Sequence, residues 1–452
     1  MKKQKNQQSY ATKSIPVINP YAAGIDIGAT EIYVAVPSDQ DPQPVKMFQA
    51  FTEDLQNLIK WLTQCHIKTV AMESTGVYWI PVFQMLEEAG FEVCLVNARH
   101  IKNVPGKKTD VVDCQWIQYL HAVGLLRSSF RPSGEICAIR SILRHRDGLI
   151  QEAASSVQHM QKALTQMNLH LHNVISDITG VTGLSIIDAI LAGERDPQEL
   201  AKLRDKRIKA KEDTLSKSLV GNYRPEHLFT LRQAHETYRH YQKLILECDC
   251  EIKRMLKDID GDEDTTNTQE QSITNQEKKG FNLENELTRI FGVNLTEIPG
   301  IGTRIAQAIF AEIGNDLSSF PSAKHFTSWL GLSPDNRISG GRVLSAKTRE
   351  VKNRAAYALR MAALSAGNSY TAVGEFFRRM KVRCGVPKAI TATANKIARI
   401  IYSIIKNKKP YNESEFQDNE KRYKERAKAK LKRQASELGY ELIPINEVPQ
   451  TV

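Results

Sequence analysis

The chain has 452 residues, room for about three domains of ordinary size and for an apolar core that needs no disulfide staples. Lysine and arginine total 62 against 51 acidic residues; the net charge of +11 excludes an acidic disordered chain and points to a polyanionic partner. Seven scattered cysteines exclude a disulfide framework, no stretch approaches the ~18 apolar residues of a membrane span, and the polar start has no signal-peptide core, so a soluble cytoplasmic protein is expected.

Residues 1–21 read as a basic N-terminal extension. From 22 to 130, strand-like and helix-like runs alternate. Residues 24–36 are rich in β-branched side chains around a glycine pair that could turn a hairpin, and 69–73 and 91–96 are short apolar strands. Helical segments are expected at 52–64, 80–89 and 109–120. Strands alternating with helices argue an α/β layer with a partly parallel sheet.

Residues 131–257 read differently. Ile136, Ile139, Leu143, Arg146, Ile150, Ala153, Val157, Met160, Leu164, Met167, Leu171 and Val174 keep coiled-coil spacing with one polar break at Arg146. Leu228, Leu231, His235, Tyr238, Tyr241, Ile245, Cys248, Ile252 and Met255 nearly repeat it. Two such helices joined through 179–224 would form an antiparallel coiled-coil arm or two core helices of a bundle; the narrow seam and polar flanks favour the arm. Residues 258–282 form an acidic, polar linker. A compact helical domain follows at 283–407, and then a tail, 408–452, in which residues 421–433 hold eight basic side chains and one acidic. Such a block is a solvated helix that can also contact a phosphate backbone.

Four carboxylates stand out. Asp26 lies inside an apolar strand between Ile25 and Ile27, where an unpaired carboxylate is costly to bury. Glu73 ends a second strand. Asp110 and Asp113, three apart behind a plausible N-cap at Thr109, share one helix face. Four acids of this kind suit a hard cation, Mg2+ or Mn2+, in a site for phosphodiester chemistry, with Lys102, Lys107 and Lys108 placed to hold a phosphate backbone. Asp26-Ile-Gly28-Ala-Thr30 also fits the phosphate loop of actin-like ATPases. No adenosine loop follows residue 130, which argues against that reading.

Near the C-terminal end, Ile298-Pro-Gly300-Ile-Gly302 resembles a helix-hairpin-helix turn whose free N–H groups can grip a DNA phosphate. Ser339, directly before Gly340 and Gly341, is expected on a mobile loop. Arg337, Arg342, Lys347 and Arg349 surround it and could stabilise charge on a phosphoryl group. No adjacent histidine offers a base. Cys248, Cys250, His170, His172, Trp79 and Trp116 read as structural.

Taken in order, Gly24-Ile-Asp26-Ile-Gly28, Met72-Glu73-Ser-Thr-Gly-Val-Tyr-Trp79, Asn97-Ala-Arg-His100, Lys108-Thr-Asp110-Val-Val-Asp113, Ile178-Thr-Gly-Val-Thr-Gly183, Ala192-Gly-Glu-Arg-Asp-Pro197, Ile298-Pro-Gly-Ile-Gly302 and Leu330-Gly-Leu-Ser-Pro334 resemble the transposases of the insertion-sequence family numbered 110. These are relatives of the Piv DNA invertases and are bridge-RNA-guided recombinases. The resemblance implies a RuvC-like (ribonuclease H-like) domain with a DEDD quartet, here Asp26, Glu73, Asp110 and Asp113, a coiled-coil arm, and an α-helical transposase domain with a nucleophilic serine. Ser339 takes that place. Many members read Ser-Ser-Gly-Gly-Lys where this chain has Ile338-Ser339-Gly-Gly-Arg342, which leaves Ser345 as the alternative nucleophile. The resemblance further implies strand exchange between donor and target DNA, a structured guide RNA, a dimer or tetramer in which one copy's acidic domain completes another's serine domain, and a prokaryotic, nucleoid-associated setting. Two other readings stay open: a junction-resolving nuclease that uses the quartet and water, and a non-catalytic nucleic-acid-binding protein.

Overall fold

A computed structural model describes residues 16–74, 76–97, 110–259 and 283–441, with the side chains of 110 and 418–424 outside that description. The N-terminal extension before residue 16, Lys102, Lys107, Lys108, Thr109 and nearly all of the acidic linker therefore lie outside the described residues. The chain divides into two compact units, one up to Arg131 and the other from Pro132 on. All seven cysteines are described, and all are free thiols. No helix among the described residues is long and apolar enough to cross a membrane.

The first unit is built on a mixed five-stranded sheet: β1 (Ala22–Ile27), β2 (Glu31–Ala35), β3 (Val45–Gln49), β4 (Thr69–Glu73) and β5 (Glu92–Val96), in the order β3-β2-β1-β4-β5. β1, β2 and β3 form an antiparallel meander, while β1, β4 and β5 run parallel. This arrangement is compatible with a ribonuclease H-like domain. Strand alternation sends Ile25, Ile27, Val70, Met72 and Leu95 to one face. There they meet Leu55, Leu58 and Leu62 of α1 (Thr52–Gln64) and Val82, Phe83 and Leu86 of α2 (Trp79–Glu88), each set on one face of its helix. The other face carries a smaller cluster, Ala71, Val96 and Ile117, the last from α3 (Asp110–Ala122). β3 has no counterpart among the expected strands. It is a half-exposed edge strand, and its Val-Lys-Met-Phe-Gln lacks the burial that makes a core strand legible.

In the second unit two long helices, α4 (Gly134–Gln166) and α9 (Pro225–Asp258), pack antiparallel: Ala153 meets Ile245, while Met160 and Leu164 share a cluster with Leu231. The expected apolar series runs past the real helix. α4 stops at Gln166 and Asn168 turns left-handed at φ +61°, so Leu171 and Val174 belong to a separate short helix, α5 (Leu171–Val174). Leu149 and Ser156 are buried where the spacing named Ile150 and Val157. Arg146 is the polar break for a reason: its guanidinium makes a two-pronged ion pair with Asp249, at 2.6 and 3.1 Å. The joining segment is more than a connector. α6 (Val181–Ala192), α7 (Pro197–Lys202) and α8 (Glu212–Ser218) wrap a core of Ile186, Ile187, Ile190, Leu200 and Leu215.

The helical pair is anchored on the remaining helices through Arg144, 2.6 Å from the buried carboxylate of Glu312. These helices are α10 (Leu283–Phe291), α11 (Thr303–Ile313), α12 (Ala323–Trp329), α13 (Arg354–Ala366), α14 (Ala372–Cys384), α15 (Val386–Asn407) and α16 (Glu413–Glu437). Between α12 and α13 lies a two-stranded hairpin, β6 (Arg337–Ser339) and β7 (Arg342–Ser345). Edge-on contact of Phe291 with Phe310, and a group of Phe320, Phe326, Trp329 and Tyr402 rings, centre the core.

Candidate functional site

β1 and β4 are parallel neighbours with Ile25 opposite Met72, and the next residue along each strand is Asp26 and Glu73. Ile25 and Met72 enter the main core, so the pleat turns the two carboxylates to the other face, the one α3 covers. Both are half-buried. The Ser74 N–H donates to the Val96 carbonyl at 3.1 Å and fixes the chain just after Glu73.

α3 lies this close because residue 24 is glycine. A Cβ there would land on the backbone of Gln118 and Cys114. The same crossing is held by the Gln118 amide, which donates to the Ala22 carbonyl at 3.2 Å. It brings the half-buried Asp113 to the Asp26 side of the sheet. The neighbouring Cys114 registers both acids: burial first, then the Asp26 charge and the Asp113 charge, push its thiol up to about 12. It therefore stays protonated and donates to the Val111 carbonyl.

Asp26 and Glu73 thus lie on the sheet face that α3 covers, and Asp113 lies in the first turn of that helix. Their all-oxygen, anionic chemistry fits a hard divalent cation. Among the described residues, no three histidine, cysteine, aspartate or glutamate side chains form a ready cation cluster. Asp110 opens α3, and its side chain lies outside the description.

The serine expected on a mobile loop sits instead in regular structure. Gly340 and Gly341 have φ of +53° and +75°, the pair of positive values a two-residue type I′ turn requires. Ser339 pairs with Arg342 at the tip of the resulting hairpin, and both are exposed. Arg337 stands across from Ser345, next to a bulge. Ser345 is half-buried, and its hydroxyl accepts from the Lys347 N–H at 3.3 Å. At the base of the hairpin the Asp335 N–H donates to the Lys347 carbonyl (2.9 Å), and the Arg349 guanidinium to the Ser328 carbonyl (2.6 Å). Arg349 braces the hairpin; Arg337 and Arg342 flank the serine.

The glycine-rich turn lies between α10 and α11. Gly302 is the N-cap of α11, and Gly300 packs on the backbone of α13 at Ala362. Glu284 knits the turn, accepting from Thr296 (2.7 Å), Asn294 and Thr303. These hydrogen bonds, Thr296 foremost, hold its carboxyl below the usual range. Gly24 is the site residue that sequence reasoning missed. Its signal was a glycine two positions before a strand-centre aspartate, where a β-branched residue would otherwise be expected.

Two family models match the chain. One, described as a transposase and of the DEDD type of IS110, covers residues 23–169; the other, described as the transposase IS116/IS110/IS902 family, covers residues 293–376. The first includes all four acids and the second includes Ser339. The chain is 32% identical over 123 residues to the pilin gene-inverting protein of Moraxella bovis, covering 26% of this chain and 38% of that protein. It is 30% identical over 112 residues to the insertion element IS110 uncharacterized 43.6 kDa protein of Streptomyces coelicolor, 25% of this chain and 27% of that one. Each alignment spans well under half of the relative's length. With both models matched in order over about half of its length, the chain belongs to the IS110 family of transposases.

Proposed function

We propose that the chain is a DNA recombinase that moves an insertion sequence by strand exchange between donor and target DNA. Ser339 is the nucleophile, and Asp26, Glu73, Asp110 and Asp113 form the second half of the active site. The observation that carries this reading is the pairing of the two halves. Asp26 and Glu73 share the sheet face that carries α3 and its Asp113, an exposed serine ends one strand of an arginine-flanked hairpin, and each lies in a region matched by the family.

In the first step the Ser339 Oγ attacks a backbone phosphorus and gives up its proton to a base. The phosphorus–oxygen bond to one deoxyribose breaks, and that oxygen takes up a proton as a free hydroxyl. A phosphoserine link conserves the energy until a hydroxyl of the other DNA attacks and releases the serine. Arg337 and Arg342 place positive charge beside the phosphoryl oxygens as negative charge builds there. The quartet would hold Mg2+ or Mn2+, which when bound supplies further neutralisation of that charge. In the working multimer, the acidic domain of one copy completes the serine domain of another. A structured bridge RNA selects both DNAs by base pairing; family membership and the +11 charge support it.

The test is to trap protein–DNA adducts under denaturing conditions on a substrate carrying the element's ends. Ser339→Ala is expected to abolish the adduct and Ser345→Ala to retain it. Adduct that survives Ser339→Ala would overturn the assignment. Free cut ends with no adduct would mean hydrolysis by the acidic site with water.

A further inference from the structure

α15 is two-faced. Thr393, Ile397, Ile401 and Ile404 are buried, while Lys396, Arg399, Ser403 and Lys406 recur at helical spacing along the other side. That side lines a cleft of about 750 Å3, with Phe376 of α14 and Phe416 of α16 contributing two aromatic rings. The volume lies within the ~300–1,000 Å3 of small-ligand pockets. No carboxylate is among the described residues that line it.

The groups are held in place. Lys396 Nζ stands 4.6 Å from the centre of the Phe376 ring. Lys406 Nζ donates to the Tyr402 hydroxyl at 3.0 Å, and that hydroxyl donates to the Phe320 carbonyl at 2.7 Å. Phe416 stacks on Tyr411, with centroids 5.3 Å apart and planes at 14°. Three cations and the rings of Phe376, Tyr402 and Phe416 around a nucleotide-sized space select a ligand that is both anionic and flat.

We propose that this cleft binds one unstacked nucleotide of a single-stranded nucleic acid, its base on Phe376 and Phe416 and its phosphates on Lys396, Arg399 and Lys406. A base inside a duplex has both faces covered by its neighbours and cannot enter. Apart from Phe376, these residues lie beyond the stretch matched by the family model, which ends at residue 376. The site is independent of Ser339 and of the quartet, so it stands whether the recombinase reading holds or fails.

Fluorescence anisotropy with the full chain tests it, using labelled uridine and deoxythymidine homopolymers and a duplex of random sequence. Phe376→Leu and Phe416→Leu are each expected to weaken single-strand binding about tenfold and to leave duplex binding unchanged. Arg399→Gln is expected to flatten the single-strand salt slope by about 0.7. A preference between ribose and deoxyribose strands identifies the natural occupant. Equal losses on single strand and duplex, no loss on either, or no binding of either homopolymer by the wild-type chain would overturn the proposal. Photo-crosslinking of wild-type protein to a 4-thiouridine oligonucleotide needs no variant to fold. Adducts on cleft peptides support the site, and adducts confined to other peptides overturn it.

Discussion

The missing methyl group at residue 24 decides where the third carboxylate stands. Because α3 crosses β1 with its backbone on that glycine, an added Cβ meets main-chain atoms of Gln118 and Cys114, which cannot rotate away as a side-chain tip can. Gly24→Ala therefore has to push α3 off the sheet, and Asp113 with it. The expected cost is about 1–3 kcal/mol, as for other overpacked sites. A thermal melt should show it, and an unchanged midpoint would mean that α3 is free to slide. His121, near the far end of α3, gives a second residue-scale expectation. It is buried with Nε2 2.9 Å from the Thr69 hydroxyl, and burial holds it below the ordinary 6.5, against the opposing pull of Glu92. A histidine kept neutral in the fold while the unfolded chain takes up a proton leaves stability at its full value above the unfolded pKa. Stability then falls as pH drops through 6.5 toward the lower folded value. The melting temperature should decline between about pH 7.5 and about pH 5.5. His235 shifts the same way, so His121→Gln should remove part of this slope. An identical slope would assign the effect elsewhere.

Among the elements, what was legible in the sequence was local. α1 and β4 follow from side-chain spacing alone, because the period of a helix or strand is written in consecutive residues. The hairpin under Ser339 was also within reach, since two consecutive glycines between short β-prone runs are the requirement of a type I′ turn. In the long helices the buried stripe drifts from the counted series, exchanging Ile150 for Leu149. A straight helix turns every 3.6 residues and not every 3.5. Arg146 was visible as an exception to the seam, while its partner Asp249, 103 positions away, was not. This pair yields a prediction. Both side chains are partly exposed, so a double-mutant cycle of Arg146→Ala and Asp249→Ala should return a coupling of about 0.5–1 kcal/mol. A coupling indistinguishable from zero would make Arg146 a tolerated polar residue and not a register pin for the helical pair.

Over the whole molecule, the acidic face and the serine hairpin occupy separate compact units, and positive charge is gathered at the C-terminal end. Distance along the chain is why the candidate site could be named from sequence only in parts: Asp26 and Asp113 are far apart in order, and the sheet register that aligns Asp26 with Glu73 exists only once β1 and β4 pair. The tail was legible as composition, and the structure makes it a helix. In α16 the side chains of Lys428, Lys430 and Lys432 are exposed, so they are available to a phosphate backbone. Each phosphate neutralised releases counterion and contributes about 0.9 to the slope of log affinity against log salt on duplex DNA. Changing all three lysines to glutamine, a comparable helix former, should leave far-UV circular dichroism unchanged and make that slope shallower by up to about 2.7. The slope is the measurement to trust here, because affinity at one salt concentration mixes this contribution with that of every other cation on the surface. If the slope stays where it was, the tail helix does not touch DNA, and the electrostatic grip comes from other arginines and lysines of the chain, Arg337 and Arg342 of the hairpin among them.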